Sequence, residues 1–398
     1  MTHSPEKAIE DVFPALEKAF RVRFGSVADF SWGARSSVYR VGSGSGDLAV
    51  RQINYAASLR GLNFSHHLLW RLHKEGFEYV SPPLKNVGAE VQVDQDGFPM
   101  PYAAKVEGLL YSVSPWISGV KADGSLRDVF NAGVFLARYH QTSSIVLEDS
   151  VSAGRIGYPD IGGVWGMIIH EFAPEGRCVD SPFYSPAGSG DVSYHAREER
   201  RRVSWSMLEF VDKAEAGRSV VDDIVLAAAP LVEEASEHIR GRLHDIGLRV
   251  EYDSKGKVLD VVFPVPKAIA HGDYTPENVL FSKGESVGLV DFDLTGTRER
   301  VCDVAWGMLT FSKTGSKVDV RKATEFLRGY ESITRLSKLE HEILPLEAIG
   351  RLVATTRWLP NQYYHWKADI NTPDMWKNIS LLRENLGLLK WVMNNKLI

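Results

Sequence analysis

The chain has 398 residues, 46 Lys and Arg against 51 Asp and Glu, and a net charge of −5, with 44% hydrophobic and 24% charged residues. At roughly 150 residues per domain there is room for two or three domains and a sizeable core. So average a balance excludes a disordered, collagen-like or coiled-coil chain, and the lack of a basic excess speaks against a nucleic-acid surface.

Cys178 and Cys302 have neither metal-ligand spacing nor a disulfide framework, which suits a reducing compartment. The N-terminus leads into an amphipathic segment rather than an apolar signal core. The longest apolar run, 224–232, contains Pro230 and is too short for a bilayer. A soluble, cytoplasmic protein is expected.

In chain order, Ile9, Val12, Phe13, Leu16 and Phe20 have the spacing of a helix over 7–24. Segments 28–32, 38–41 and 48–53, separated by Gly/Ser-rich turns, read as three successive antiparallel strands. Leu68, Leu69 and Leu72 predict a helix over 65–76, ending at Gly76. Residues 90–93 and 102–105 read as a hairpin with a Gly turn, and 110–113 as a further strand running into Ser-Pro-Trp-Ile-Ser-Gly at 114–119. Val129, Ala132, Phe135, Leu136 and Tyr139 mark a helix. Residues 150–195, rich in Gly, Pro and Ser, read as a long insertion. Helices are expected at 196–213, 219–246, 318–359 and 373–393, with a β-rich patch at 258–293. The expected fold is α+β: a small antiparallel β-sheet lobe over 1–117 and a large, mostly helical lobe over 118–398, with 115–119 as the crossing.

The most informative stretch, Ala-Ile-Ala-His-Gly-Asp-Tyr-Thr-Pro-Glu-Asn-Val-Leu-Phe at 268–281, holds a polar loop between apolar strands, with His271, Asp273 and Asn278 as its polar points. The next strand ends on Asp291. Pairing the two strands about Gly284 and Glu285 sets Asn278 opposite Asp291, where opposed residues lie about 4.5–5.5 Å apart at Cα. An amide oxygen and a carboxylate so placed are hard ligands suited to Mg²⁺, which completes its shell with water and substrate phosphate. Asp273, displaced along the loop, is placed to accept a proton from a hydroxyl nucleophile.

Plainer readings compete. Asp273 and Asn278 are common turn formers, and Asp293 could equally be a surface or capping carboxylate. His271 is favoured as a buried hydrogen-bonding residue over a catalyst. Arg51 competes with an ordinary strand-surface cation. Adjacent His66 and His67 do not face one way on a helix, which disfavours a metal pair. Arg197 and Arg200 to Arg202 read as a solvated helix face.

Together, His271-Gly272-Asp273, Asn278 and Asp291-Phe292-Asp293 resemble the catalytic centre of aminoglycoside phosphotransferase-like enzymes of the choline/homoserine kinase type, where His-Gly-Asp replaces the protein-kinase His-Arg-Asp loop. The resemblance implies a bilobal, protein-kinase-like fold. It also implies an ATP-dependent phosphotransferase, GTP not excluded, moving the γ-phosphoryl group to a hydroxyl of a sugar, nucleoside, amino-acid-like metabolite or antibiotic. Carried over, Asp273 is the catalytic base, Asn278 and Asp291 are Mg²⁺ ligands, and Asp293 has a second metal role. Asp303, in Cys-Asp-Val-Ala-Trp-Gly, resembles the aspartate that holds the catalytic-loop backbone.

Upstream, residues 33–39 resemble the nucleotide-covering loop, whose backbone N–H groups, those of Ser36 and Ser37 included, cradle phosphate. Arg51 stands where many relatives carry a phosphate-binding Lys. Pro115 C=O and Ile117 N–H stand at the adenine edge. One departure is plain: Ser65 occupies the place of the Glu that partners the cation. It motivates the alternative of a catalytically impaired, pseudokinase-like nucleotide-binding or scaffold protein. A protein kinase fits poorly, because no Ala-Pro-Glu segment follows Asp291. The expected partners are a nucleoside triphosphate and a small-molecule hydroxyl acceptor, with no nucleic acid and no membrane. Trp358, Tyr363, Tyr364, Trp366 and Trp376 read as core packing or as a stacking wall for the acceptor. The excess of Lys and Arg over Asp and Glu beyond residue 311 disfavours a polycationic acceptor.

Overall fold

Alternating burial along short segments builds the N-terminal sheet. The computed structural model describes residues 9–32, 36–53, 59–88, 90–94, 97–152, 211, 213–215, 217, 219–246, 249–252, 258–262, 265–356, 360, 363 and 373–395. Helix α1 (Phe13–Phe20) precedes strands β1 (Phe24–Trp32), β2 (Ser36–Ser43) and β3 (Leu48–Ile53). The strands form an antiparallel meander, as their sequence pattern predicts. Tyr39, Val41, Leu48 and Val50 alternate onto one face, where Phe13, Leu16 and Phe20 of α1 cover them.

Helix α2 (Leu59–Lys74) follows, starting earlier than its apolar pattern implies. The 90–105 region differs from expectation. Strands β4 (Gln92–Val93) and β5 (Pro99–Met100) pair with each other, while β6 (Ala104–Val106) turns back on β7 (Leu109–Pro115). Two devices impose this arrangement. Asp94 accepts from the Phe98 N–H, closing the first turn, and Glu107 and Gly108 both take positive φ, giving the two-residue turn that feeds β7. The sheet order is β1-β2-β3-β7-β6.

The remainder is mostly helical: α3 (Leu126–Ser152), α4 (Val220–Asp245), α5 (Val301–Ser312), α6 (Val320–Glu331), α7 (Lys338–Thr356) and α8 (Pro373–Asn394). Among the described residues four two-stranded pairs interrupt it: β8 (Arg249–Tyr252) with β9 (Val258–Val262), β10 (Lys267–Ala270) with β13 (Gly296–Glu299), β11 (Val279–Ser282) with β12 (Glu285–Leu289), and β14 (Lys313–Thr314) with β15 (Lys317–Val318). A Ser219–Asp222 capping box starts α4, and Pro230 lies inside that helix. Helices α3 and α6 touch backbone to backbone: a Cβ on Gly133 would lie 2.0 Å from Phe326 O, and one on Gly329 2.1 Å from Phe130 O. The main apolar core runs from Leu68 and Leu72 of α2 through Phe135, Tyr274, Phe326 and Leu352. It therefore surrounds the loop after β10.

The insertion beyond residue 152, most of the expected helix at 196–213 with its arginines, residues 33–35, Cys178, Trp358, Tyr364 and Trp366 lie outside the described residues. Among the described residues, no helix is long and apolar enough to cross a membrane.

Candidate active site

Strand β10 leaves the core at His271, which is fully buried. Its Nε2 lies 3.0 Å from Val290 O, which can only accept, so Nε2 carries the proton. Nδ1 is then free to accept from the Asp273 N–H at 3.3 Å. One imidazole thus ties the strand end that precedes Asp291 to the backbone of Asp273. This is a hydrogen-bonding role, as the sequence favours.

Asp303 on α5 completes the support, accepting from His271 N–H at 2.6 Å and Gly272 N–H at 2.9 Å. Its Oδ2 also lies 3.1 Å from Nε2 of His140 on α3, whose Nδ1 meets the Tyr330 hydroxyl of α6 at 2.9 Å. Burial alone would raise the Asp303 carboxyl. The hydrogen bond and charge of His140, with His271 and Arg298, outweigh it and hold the pKa at about 2. Gly272 has φ +83°, and a Cβ there would stand 2.1 Å from Leu294 O.

The β11–β12 register corrects one expectation. Val279 faces Leu289, and Ser282 faces Glu285 across a turn of Lys283 and Gly284, both at positive φ. An irregularity between Leu280 and Phe281 absorbs one residue. Asn278 therefore stands beside Val290, whose N–H donates to Asn278 O at 3.0 Å, and Asp291 falls just past the ladder. Asp291 takes φ 64° and ψ 68°, a left-handed geometry that Asp tolerates better than most residues. The chain then turns into a short 3₁₀ segment, Phe292–Leu294, and buried Phe292 sets its ring 4.8 Å from that of His271.

Asn278 Nδ2 donates to Asp273 O at 2.9 Å and to Asp273 Oδ2 at 3.2 Å, leaving the amide oxygen as its remaining polar side-chain atom. Asp291 is open to solvent but recessed among protein groups. That surrounding, then the charges of Asp293 and Asp273, raise its carboxyl pKa, while Arg51 and His271 oppose the rise. A recessed carboxylate with excess negative charge around it and an amide oxygen on the neighbouring strand is a donor set that fits Mg²⁺. Among the described residues, no three His, Cys, Asp or Glu side chains form a metal cage.

Two residues read separately in the sequence meet here. Arg51 Nη2 lies 2.5 Å from Asp293 Oδ2, and Arg51 Nε donates to Ser36 Oγ at 2.9 Å. Burial would lower the Arg51 pKa; the charge and hydrogen bond of Asp293 more than offset it. Ser65, in place of the expected Glu, is buried and donates to Leu62 O. His66 stands near the ion pair, and its pKa is lowered to about 3, by burial first and by Arg51 next, so it stays neutral.

Ser37 is fully buried. Pro115 O already accepts from Ser81 Oγ at 2.5 Å. The 115–119 crossing lies directly against the β11–β12 hairpin through the Val120–Phe281 bridge. Tyr363 packs on the main core, whereas Trp376 is 51% exposed.

Sequence reasoning missed two side chains at Asp273. Trp306 Nε1 donates to Asp273 Oδ1 at 3.3 Å. Arg351 on α7 donates from Nη2 to Gly272 O at 2.7 Å, lies 3.8 Å from Asp273 Oδ1, and stacks its guanidinium 5.1 Å from the Trp306 ring centre. Trp306 was recoverable, being three residues past Asp303 and hence on the same helix face. Nothing local marks Arg351.

Residues 26–338 match the family described as Phosphotransferase enzyme family, APH. The chain belongs to this phosphotransferase family. A homoserine kinase of Rhodospirillum rubrum is 33% identical over 151 residues, 36% of this chain and 43% of that protein. The chain thus aligns with less than half the length of this curated relative. A spectinomycin phosphotransferase solved with ADP and spectinomycin shares the fold at TM-score 0.59 and 12% identity, covering 98% of each chain. A microcompartment-associated aminopropanol kinase does so at TM-score 0.56 and 15% identity, covering 96% of each. The α+β, protein-kinase-like fold implied by the sequence is therefore the fold observed. The family match contains Arg51, Asp273, Asn278, Asp291, Asp293 and Asp303, and it ends where α7 begins, thirteen residues before Arg351.

Proposed function

We propose that this chain transfers the γ-phosphoryl group of ATP, or of GTP, to a hydroxyl of a small molecule, with Asp273 as the base. The observation that carries the reading is the convergence on Asp273. Asn278 holds its Oδ2 and Trp306 its Oδ1, while His271 links its backbone N–H to the strand end that presents Asp291. Oriented in this way, the carboxylate accepts the hydroxyl proton as the new O–P bond forms. The bond between the γ-phosphorus and the β–γ bridging oxygen breaks, and ADP leaves. Little covalent assistance is required, because positioning and charge supply most of the acceleration in phosphoryl transfer.

Mg²⁺, bound by Asp291 and the Asn278 amide oxygen with Asp293 beside them, would screen the phosphate charge. Arg51, at the edge of this carboxylate group, supplies a fixed cation for the phosphates. Backbone N–H groups at Ser36 and Ser37 border the phosphate side, and Pro115 and Ile117 border the base. The nucleotide then lies between a lobe ending near residue 117 and one beginning near 118, in a cytoplasmic protein. The scaffold alternative drew on Ser65 in place of a Glu. The contact of Asp293 with Arg51 provides that acid from another segment and favours the enzyme.

Homoserine kinase relatives make an amino-acid-like hydroxyl the first acceptor to test. ADP release with L-homoserine, 1-aminopropan-2-ol and spectinomycin, followed by mass detection of the phosphorylated product, tests the reading. Activity is expected with at least one hydroxyl acceptor and is expected to vanish in Asp273→Asn. Full turnover in a folded Asp273→Asn variant would refute it.

A further inference from the structure

The two carboxylate oxygens of Asp273 face different neighbours. Oδ2 faces Asn278, on the side of Asp291. Oδ1 faces the Trp306 indole N–H and, at 3.8 Å, the Arg351 guanidinium. Arg351 reaches this point from α7, and its side chain is only 15% exposed. It spends Nη2 on the carbonyl of Gly272, the residue just before Asp273. Among the described residues its buried Nε meets no hydrogen-bond partner, a cost that packing alone gives no reason to accept.

Its guanidinium lies over the Trp306 ring, 5.1 Å from the centre, so cation, indole and carboxylate form one contiguous group. One turn earlier on α7, Glu347 is buried, and burial followed by the charge of Glu299 pushes its pKa up to about 8. At neutral pH Glu347 is therefore largely protonated and adds little counter-charge beside Arg351.

We infer that Arg351 is a positioning residue for phosphoryl transfer: from a helix outside the family match, it fixes the Gly272 carbonyl and backs Oδ1 of Asp273, which holds the carboxylate in line with the acceptor hydroxyl. This rests on the reading of Asp273 as the base. Asn278 restrains one oxygen and Trp306 with Arg351 the other, so the carboxylate cannot rotate about its Cβ–Cγ bond without losing a partner.

The test compares wild type, Asp273→Asn, Arg351→Met and Arg351→Lys by ADP release from Mg·ATP, with L-homoserine, 1-aminopropan-2-ol, spectinomycin and water alone as acceptors. Methionine keeps the packed stem and removes the charge and donors. Arg351→Met is expected to lose on the order of 10²-fold in kcat with little change in KM for ATP. Arg351→Lys, which keeps the charge but not the fork, is expected to recover part of the loss, and millimolar guanidinium to rescue Arg351→Met but not Asp273→Asn.

A folded Arg351→Met with kcat within about threefold of wild type, while Asp273→Asn is inactive, overturns the inference and leaves the function standing. If Arg351→Met does not fold, Arg351→Lys decides: wild-type kcat overturns the inference, and a reduced kcat at unchanged KM for ATP supports it. No ADP release by wild type, or full release by Asp273→Asn, removes both.

Discussion

Arg51 and Asp293 stand 242 residues apart in the chain and meet at 2.5 Å, with side chains only 19% and 10% exposed. Strand β3 is thereby tied to the segment immediately after Asp291. Removing one member of so enclosed a pair leaves the other charge uncompensated. Arg51→Met and Asp293→Asn are each expected to raise KM for ATP, and the double variant to be no worse than the worse single one. The coupling should be about 1–3 kcal/mol in a double-mutant cycle. Additive effects, with a raised Mg²⁺ requirement in Asp293→Asn alone, would make Asp293 a metal ligand instead.

Asp303 anchors two catalytic-loop amides and the His140–Tyr330 pair. Asp303→Ala is expected to destabilise the protein by roughly 3–5 kcal/mol and to abolish turnover. Its folded pKa of about 2 lies below the ordinary carboxylate value. The contribution is therefore complete above the unfolded pKa and lost as pH falls through the folded one. Denaturant titrations at pH 6, 4 and 3 should show wild-type stability falling over this range more steeply than that of Asp303→Asn.

Glu347 carries the opposite sign. With its folded pKa near 8, the folded state holds a proton that the unfolded chain has released above the ordinary Glu range. Stability from this group is present at low pH and lost as pH rises through about 8. Glu347→Gln is expected to unfold at a temperature near wild type at pH 5 and several degrees higher at pH 9. Parallel melting curves for the two proteins between those pH values would contradict this.

Gly272 has φ +83° and leaves no room for a Cβ beside Leu294 O. Gly272→Ala is expected to cost roughly 3–5 kcal/mol and to displace the Arg351 and Asp303 contacts to the loop. Chemical denaturation gives the first quantity. Hydrogen exchange of the His271 and Gly272 amides, slow in wild type and fast in the variant, gives the second.

His271, Asp273, Asn278 and Asp291 were legible from sequence because they lie in one loop and hairpin, where strand alternation and turn chemistry act over a few residues. The same reasoning missed by one position at Asn278: it set the turn at Gly284 and Glu285, whereas the chain turns at Lys283 and Gly284, a shift of two positions, of which a bulge in β11–β12 returns one. It also paired 90–93 with the wrong strand, because the two-residue turn at Glu107-Gly108, which sends β6 back along β7, was not read. The meander of β1 to β3 and the helical character beyond residue 125 were likewise set by periodicity alone.

What the tertiary structure decided is which distant groups share a charge. Arg51 and Asp293 read separately, as a phosphate cation and a metal carboxylate, and only the packing of the sheet on the 3₁₀ turn brings them together. Arg351 carried no signal at all: a lone arginine on a helix looks the same whether its side is solvated or pressed against a catalytic loop. Propensity and pattern act along a few neighbouring residues, whereas these contacts follow from how whole helices and strands pack, and packing is settled only when the entire core is assembled.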